Sequence, residues 1–431
     1  MASTTLAVTI LLVSFVILIM LRFPIALTLV ISSLLTIISI GVPLPIIGQQ
    51  MIQGMNSFSL LAIPFFILTG QIMSAGGLAA RIVNLAILLV GRVRGGLAMV
   101  NSVASLFFGN ISGSAVADVS SVGSVMIPMM KKNGYEADYA VGVTIASAIQ
   151  GVVVPPSHNL VLYSLAAGGV SIASLFMAGI VPGVIMLIAL CITGYIIARK
   201  RGYEKAAPIP KSLIGSTLFH GALSLSPAVI ILGGIMSGIF TATESGALAC
   251  LYSFILAFVI YREAPLSSIW TILKRTLKTV SMVFFLIAAS ASFGWVLAYL
   301  QVPTMMTDLL LGISDNPIII LLIINILLLL LGAPMDMAPM ILIMTPILLP
   351  VVTSFGMDPV HFGIVLILNA GIGLLTPPVG TVLFVGCAIG KVSIAQGTKA
   401  MMPFFYALLV VLLIITYIPE VVMWLPNLMA D

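Results

Sequence analysis

Phe108-Gly109-Asn110-Ile111-Ser112-Gly113-Ser114-Ala115-Val116-Ala117-Asp118 is a polar, glycine-rich knot between two apolar runs. The run going in, 95–108, and the run coming out, 115–130, both fall short of the about 20 residues a membrane helix needs, so together they read as a re-entrant hairpin. Cations stand at both outer ends, Arg92 and Arg94 before and Lys131 and Lys132 after. The ends therefore share one side, and the polar tip reaches the middle of the bilayer. Irregular backbone at that depth is tolerated only where it is buried in protein or lines a cavity. The rest of the chain has to build that cavity.

Composition sets the class. The chain is 61% hydrophobic and 7% charged, against about 25% charged for a soluble domain, which identifies an integral membrane protein. Apolar segments near membrane-spanning length recur from end to end, and alternating barrel strands do not, so the fold class is all-α and polytopic, in contact with a lipid bilayer. The net charge of +5 comes from 17 Lys and Arg in short connections, where they set orientation; no nucleic-acid partner is indicated. Cys191, Cys250 and Cys387 lie in apolar runs with no metal or disulfide spacing. The first apolar run, 6–21, lacks a basic region before it and is followed by Arg22, so it reads as a retained helix rather than a signal peptide.

In order, 6–21 spans inward and 24–41 returns; 42–56 reads as an uncharged extracytoplasmic loop; 58–73 crosses inward and 78–90 lies at the cytoplasmic interface. After the first hairpin, 137–153 rises and stops at Val154-Pro155-Pro156-Ser157-His158-Asn159, where two prolines remove amide donors and break the helix. Residues 160–167 finish that crossing and 172–198 come back. The charged, proline-containing stretch 199–211 reads as a cytoplasmic linker between halves. Spans follow at 218–240, 246–261 and 280–300, with 262–278 as an amphipathic surface helix between the last two and 303–311 as a short interfacial helix. A second hairpin, 318–331 and 338–352 around Gly332-Ala333-Pro334-Met335-Asp336, has no Lys or Arg at its ends and enters from outside. The helix 362–375 breaks at Thr376-Pro377-Pro378-Val379-Gly380, 381–389 completes it, and 401–418 is the last span. Both termini face outward on this reading. The domains are 1–91 (N-terminal scaffold), 92–170 (first hairpin with broken helix), 171–313 (scaffold with linker 199–211 and arm 262–278), 314–391 (second hairpin with broken helix) and 392–431 (C-terminal helix).

The two hairpin units align without gaps. Pro128 matches Pro350, Gly134 matches Gly356, Gly151 matches Gly373, Pro155-Pro156 match Pro377-Pro378, and Val170-Ser171-Ile172-Ala173 repeats as Val392-Ser393-Ile394-Ala395. With the first unit opening to the cytoplasm and the second to the outside, this is an inverted-topology repeat, and interrupted helices at corresponding places in two halves point to a transporter's binding site. Half-helix N-termini offer amides to an anion, and C-termini offer carbonyls to Na+. Polar groups at those places are Asn110, Ser112, Ser114, Ser157 and Asn159 in the first unit, and Asp336, Thr376 and Thr381 in the second.

Gly109-Asn110-Ile111-Ser112-Gly113-Ser114-Ala115 and Leu375-Thr376-Pro377-Pro378-Val379-Gly380 resemble the motifs of the large membrane subunit of TRAP transporters (tripartite ATP-independent periplasmic transporters), DctM/SiaM type, over essentially the whole chain. The resemblance implies an inverted-repeat elevator transporter, similar to the ion transporter superfamily, with two re-entrant hairpins and two broken helices, in the bacterial cytoplasmic (inner) membrane. It implies coupling to Na+, two or more ions, and a small organic anion as cargo, such as a sialic acid or a C4-dicarboxylate. The partners implied are a four-helix small membrane subunit, here a separate chain, and a periplasmic substrate-binding protein. By analogy the substrate meets Ser112, Ser157 and Asp336. Sodium ions are placed at Asn110, Gly113 and Ser114 with Gly151 to Val154, and at Gly332 and Ala333 with Gly373 and Thr376.

Each signal has a plainer reading. Intramembrane acids cost roughly 2.5–3.5 kcal/mol at a helix centre, so Asp118 and Asp336 stand out; Asp118 either serves the site or bonds nearby amides, and Asp336 either binds or caps its helix. His158 reads as a hydrogen-bonding strut rather than a proton relay. Thr241 with Glu244 reads as a capping box, the 24 methionines as packing, and 262–278 as a lipid-facing arm that could also meet a partner. The rival within the class is a stand-alone Na+-coupled carboxylate carrier or antiporter needing no binding protein. An enzyme is not expected: there is no HExxH pair, and no GxxxxGK[ST] loop for ATP-driven transport.

Overall fold

The computed structural model describes residues 4–204, 210–314, 316–377 and 380–430. Asp315, Pro378, Val379 and the linker residues 205–209, all used in the sequence reading, lie outside these. The described chain is all helix and turn. It opens with α1 (Thr4–Met20), α2 (Ile25–Ile40), α3 (Pro45–Met55), α4 (Ala62–Ala75) and α5 (Leu78–Val90). The first unit follows: hairpin arms α6 (Gly96–Ser112) and α7 (Ala115–Lys132), then a broken helix of α8 (Ala137–Ser147), α9 (Gln150–Val153) and α10 (His158–Ala166), bent by 50° at the break. Next come α11 (Ile172–Lys200), α12 (Lys211–Met236), α13 (Ala242–Phe254, continued by a π-helical turn over Ile255–Ile260), α14 (Ser268–Tyr299) and α15 (Val302–Ile313). The second unit has hairpin arms α16 (Pro317–Gly332) and α17 (Met337–Ser354) and broken-helix halves α18 (Pro359–Gly373) and α19 (Thr381–Gly390). The helices α20 (Ile394–Tyr417) and α21 (Pro419–Ala430) close the described chain.

Four expectations change. The stretch 42–56 is not a loop: Pro45 sits at the start of α3, where its missing N–H costs nothing. Gly54 then lets α3 lie on α14, since a Cβ there would stand 2.2 Å from the Ala291 Cβ. The surface helix expected over 262–278 begins only at Ser268, after Pro265, and runs on into the span 280–300 as one helix, α14, because no Gly or Pro interrupts 268–280. The span placed at 218–240 begins at Lys211, directly after Pro210, and ends at Met236. Finally, α21 is an additional helix after the last span, set off where the chain leaves helical geometry at Ile418 and restarts at Pro419.

The repeat is carried into three dimensions. Both outgoing hairpin arms cover equivalent residues, Ala115–Lys132 and Met337–Ser354, and α11 and α20 begin at equivalent residues, capped by Ser171 and Ser393. Gly134 and Gly356 turn the two repeat units in the same way, with φ of +79° and +82° that side chains disfavour. Cross-contacts fix opposite orientations. On one face Lys131 donates to the Gly390 carbonyl at 3.5 Å, so the end of the first hairpin meets the end of the second broken helix. On the other face the Tyr163 hydroxyl donates to the Pro359 carbonyl at 2.5 Å, so the end of the first broken helix meets the start of the second. Arg81 pairs with Glu263 at 2.6 Å, and Arg201 with Glu136 and Asp138, on the first of these faces. Lys131, Arg81 and Arg201 thus stand on the face that the charge pattern of the sequence makes the expected cytoplasmic one.

Packing groups α11 and α20 with the hairpin units, α20 against α8 and α18, and α11 against α6, α18 and α20. Among α1–α5 and α12–α15, α14 lies across α2, α3 and α4. Short polar links tie the buried helices where lipid offers no hydrophobic drive to associate. Asn101 donates to the Thr144 hydroxyl at 2.5 Å, and Asn369 donates to Asn325, which donates to Thr416, at 2.8 and 3.0 Å. The outer surface is apolar, as in the stripe Ile318, Ile319, Leu322, Ile326 and Leu330 along α16, which suits contact with acyl chains.

Candidate functional site

The first tip and the first break are in direct backbone contact. A Cβ added to Gly109 would lie 2.8 Å from the Gly151 Cα, and one added to Gly151 would lie 2.4 Å from the Gly109 Cα. The second unit repeats the device: a Cβ on Gly332 would lie 3.0 Å from the Gly373 Cα, and one on Gly373 would lie 2.6 Å from the Gly332 Cα. Only glycine permits such an approach, and it brings the C-terminal ends of two helical segments, with their last carbonyls, to the same place. Asn159 ties the first tip to the break by donating to the Gly113 carbonyl at 2.7 Å. Gly113 has a φ of +60°, and a Cβ there would run into the His158 ring.

The tips face a common cavity of about 510 Å³. Ser112, Gly113 and Ser114 line it from the first tip, His158 and Asn159 from the first break, and Asp336 from the second tip. Ser114 and Asp336 occupy equivalent places in the repeat and both cap the outgoing arm, Ser114 accepting from the Ala117 amide at 3.3 Å and Asp336 from the Met337 amide at 2.9 Å. Two half-helix N-termini thus open onto one space, the arrangement suited to an anionic group. Ser112 donates to the Gly109 carbonyl at 3.1 Å. From the tips the cavity extends along Ser120 and Ser121, in the tip-proximal half of α7, past Gln71 and Ser74 near the end of α4 to Arg275 near the start of α14.

The remaining candidates divide. Ser157 is fully buried and does not line the cavity; its hydroxyl donates to the Val152 carbonyl at 2.8 Å and accepts from the Asn159 backbone and side-chain amides, both at 3.3 Å. It shapes the break behind the cavity wall. Asn110 lies at the Gly109–Gly151 contact with its Oδ1 buried and without a donor among the described residues. Val154 is extended, with ψ of 130°. Ala333 and Thr376 are half-buried at the second tip and break, Thr376 donating to the Ile372 carbonyl at 3.2 Å. Asp118 is fully buried beside the tip-to-break contact: a Cβ on Gly109 would lie 3.6 Å from its carboxyl carbon. The Ser105 hydroxyl faces it, and no Lys, Arg or His pairs with it among the described residues. Glu244 accepts from the Thr241 amide at 2.8 Å and completes the expected capping box.

Sequence reasoning missed the wall that α4 and α14 supply. Gln71 and Ser74 are separated by three positions, and Arg275, Thr279, Met282 and Val283 recur at the spacing of one helix face. That periodicity was legible, but nothing in it says which neighbour the face meets. The wall touches the first unit closely. The Ser74 and Ser121 hydroxyls share a hydrogen bond of 2.6 Å, and a Cβ on Gly70 would stand 2.9 Å from the Ser112 Cα.

An inverted pair of hairpins and broken helices around a mid-membrane cavity defines a membrane transporter. Comparison narrows the class. Residues 12–421 match the family described as the tripartite ATP-independent periplasmic transporter, DctM component. The chain is 44% identical to the protein YgiK of Salmonella typhimurium over 97% of this chain and 96% of that protein. It is 42% identical to the sialic acid TRAP transporter large permease SiaM of Vibrio cholerae (88% and 89% covered) and 38% identical to the 2,3-diketo-L-gulonate TRAP transporter large permease YiaN of Escherichia coli (88% and 88%). The solved structure of the YdaH transporter of Alcanivorax borkumensis shares the fold at a TM-score of 0.61 and 14% identity, with 85% of this chain and 86% of that one covered. The chain belongs to the DctM family: it is a multi-pass permease component of a tripartite system, and not an enzyme.

Proposed function

We propose that this chain is the large permease subunit of a Na+-coupled importer of a small organic carboxylate, fed by a periplasmic substrate-binding protein and assembled with a separate small membrane subunit in the cytoplasmic membrane. The observation that carries the reading is the cavity where two half-helix N-termini, capped by Ser114 and Asp336, open onto one space beside Ser112. The two tip-to-break glycine contacts, with the donorless Asn110 Oδ1 and the Asp118 carboxylate beside the first, offer acceptor oxygens to cations. The names of SiaM and YiaN make N-acetylneuraminate and 2,3-diketo-L-gulonate the first cargoes to try.

The movement proposed is an elevator. The two hairpin units, with α11 and α20 packed on them, slide against α1–α5 and α12–α15, and the boundary passes between Gly70 and Ser112 and between Ser74 and Ser121. On this reading both termini face the periplasm. The deciding experiment is uptake into proteoliposomes holding this chain and its small subunit, with and without a Na+ gradient and with and without the matched binding protein. Uptake that needs both supports the proposal. Na+-driven uptake with no soluble protein present replaces it with a stand-alone carrier.

A further inference from the structure

The amphipathic start of α14 carries Lys274, Arg275 and Lys278, and of these only Arg275 lines the transport cavity. Its placement follows from helix geometry: Arg275, Thr279, Met282 and Val283 form one face, and the upper part of that face lies beside the tips. Because α14 is one unbroken helix from Ser268 to Tyr299, the guanidinium is held at the cytoplasmic mouth by the same rod that spans the bilayer. Lys274 turns elsewhere, standing 5.2 Å from the Trp270 ring. The acids on this face that form ion pairs are engaged with others, Glu263 with Arg81 and Glu136 and Asp138 with Arg201, and Arg275 has no carboxylate partner among the described residues. An arginine fork matches a carboxylate in a way that a lysine does not.

We propose that Arg275 forms an exit subsite for the carboxylate of the transported anion. This rests on the transport reading above. Arg275 sits on a helix packed across α2, α3 and α4, which the elevator leaves in place, so it meets the anion only while the cavity is open inward. It therefore sets affinity from the cytoplasmic side alone, by attracting the anion through a cavity whose walls focus the field.

The test is counterflow of radiolabelled N-acetylneuraminate in proteoliposomes, with 2,3-diketo-L-gulonate as the second probe, varying the internal and the external anion separately. Arg275→Gln is expected to raise the half-saturating internal concentration at least fivefold and leave the external one within twofold. The wild-type internal value rises with ionic strength, and that of Arg275→Gln does not. In a background lacking the three native cysteines, Arg275→Cys regains internal affinity when modified with an aminoethyl thiosulfonate and not with a sulfonatoethyl one, which separates charge from folding. An unchanged internal value in Arg275→Gln, or an equal rise on both sides, overturns the exit subsite while wild-type counterflow leaves the transport reading standing. Absence of wild-type counterflow for both probes removes the two together.

Discussion

Gly151→Ala is the sharpest perturbation of the account. The new methyl would lie 2.4 Å from the Gly109 Cα, 2.5 Å from its carbonyl carbon and 2.8 Å from its oxygen. All three are backbone atoms of the hairpin tip, so no flexible side chain can swing away, and the tip must retreat from the break by about 1 Å to restore ordinary contact. Overpacking of this kind costs about 1–3 kcal/mol. If the tip and break hold a cation between them, that cost falls on the ion-bound arrangement, and apparent Na+ affinity drops by about 5–150-fold. The assay is uptake against Na+ concentration, with gel filtration and thermal unfolding of the purified complex as controls for assembly. Gly373→Ala, whose methyl would stand 2.6 Å from the Gly332 Cα, gives a shift of the same order at the second site. A Gly151→Ala protein that assembles normally and keeps the wild-type Na+ midpoint refutes the reasoning, because the tip then carries no ion at this contact.

Other outcomes follow from the same geometry. Ser112→Ala abolishes Na+-dependent uptake while lowering stability by only about 1–2 kcal/mol, the worth of its bond to the Gly109 carbonyl with two long contacts to the Ser114 backbone; wild-type rates remove Ser112 from the site. Asp336→Ser keeps the helix cap, since serine stands at the equivalent Ser114, and removes the charge; loss of uptake with intact assembly assigns the carboxylate to transport, and full uptake reduces it to a cap. Gly70→Val crowds the Ser112 backbone at the sliding boundary, so turnover falls about tenfold or more with little change in binding-protein docking; unchanged turnover places the boundary elsewhere.

Much of the fold was legible because membrane helices are written in long apolar runs and their ends in cations, prolines and glycines. The knot from Phe108 to Asp118, the two proline breaks and the ungapped repeat located both units, and their tips and breaks lie where the residues indicated. What the sequence concealed depends on contacts rather than on local pattern. An uncharged stretch with two prolines looks like a loop until Gly54 is seen to seat α3 on α14. A basic amphipathic segment looks like a surface arm until it is seen to continue into a span. The site divides in the same way. Ser112, Ser114 and Asp336, named for their polar groups at the tips, and Gly113, named from the family resemblance, line the cavity, whereas Ser157 satisfies its hydroxyl inside the break, and Arg275, Ser74 and Gln71 come from helices whose sequences carry no motif.

The central claim is that two copies of one hairpin enter the membrane from opposite sides. Single cysteines at Lys132 and Ser354, equivalent ends of the outgoing arms α7 and α17, test it directly in a background lacking Cys191, Cys250 and Cys387. A membrane-impermeant maleimide applied to spheroplasts should label Ser354→Cys at once and Lys132→Cys only after permeabilisation. Labelling of both positions from the same face would contradict the antiparallel arrangement and everything built on it.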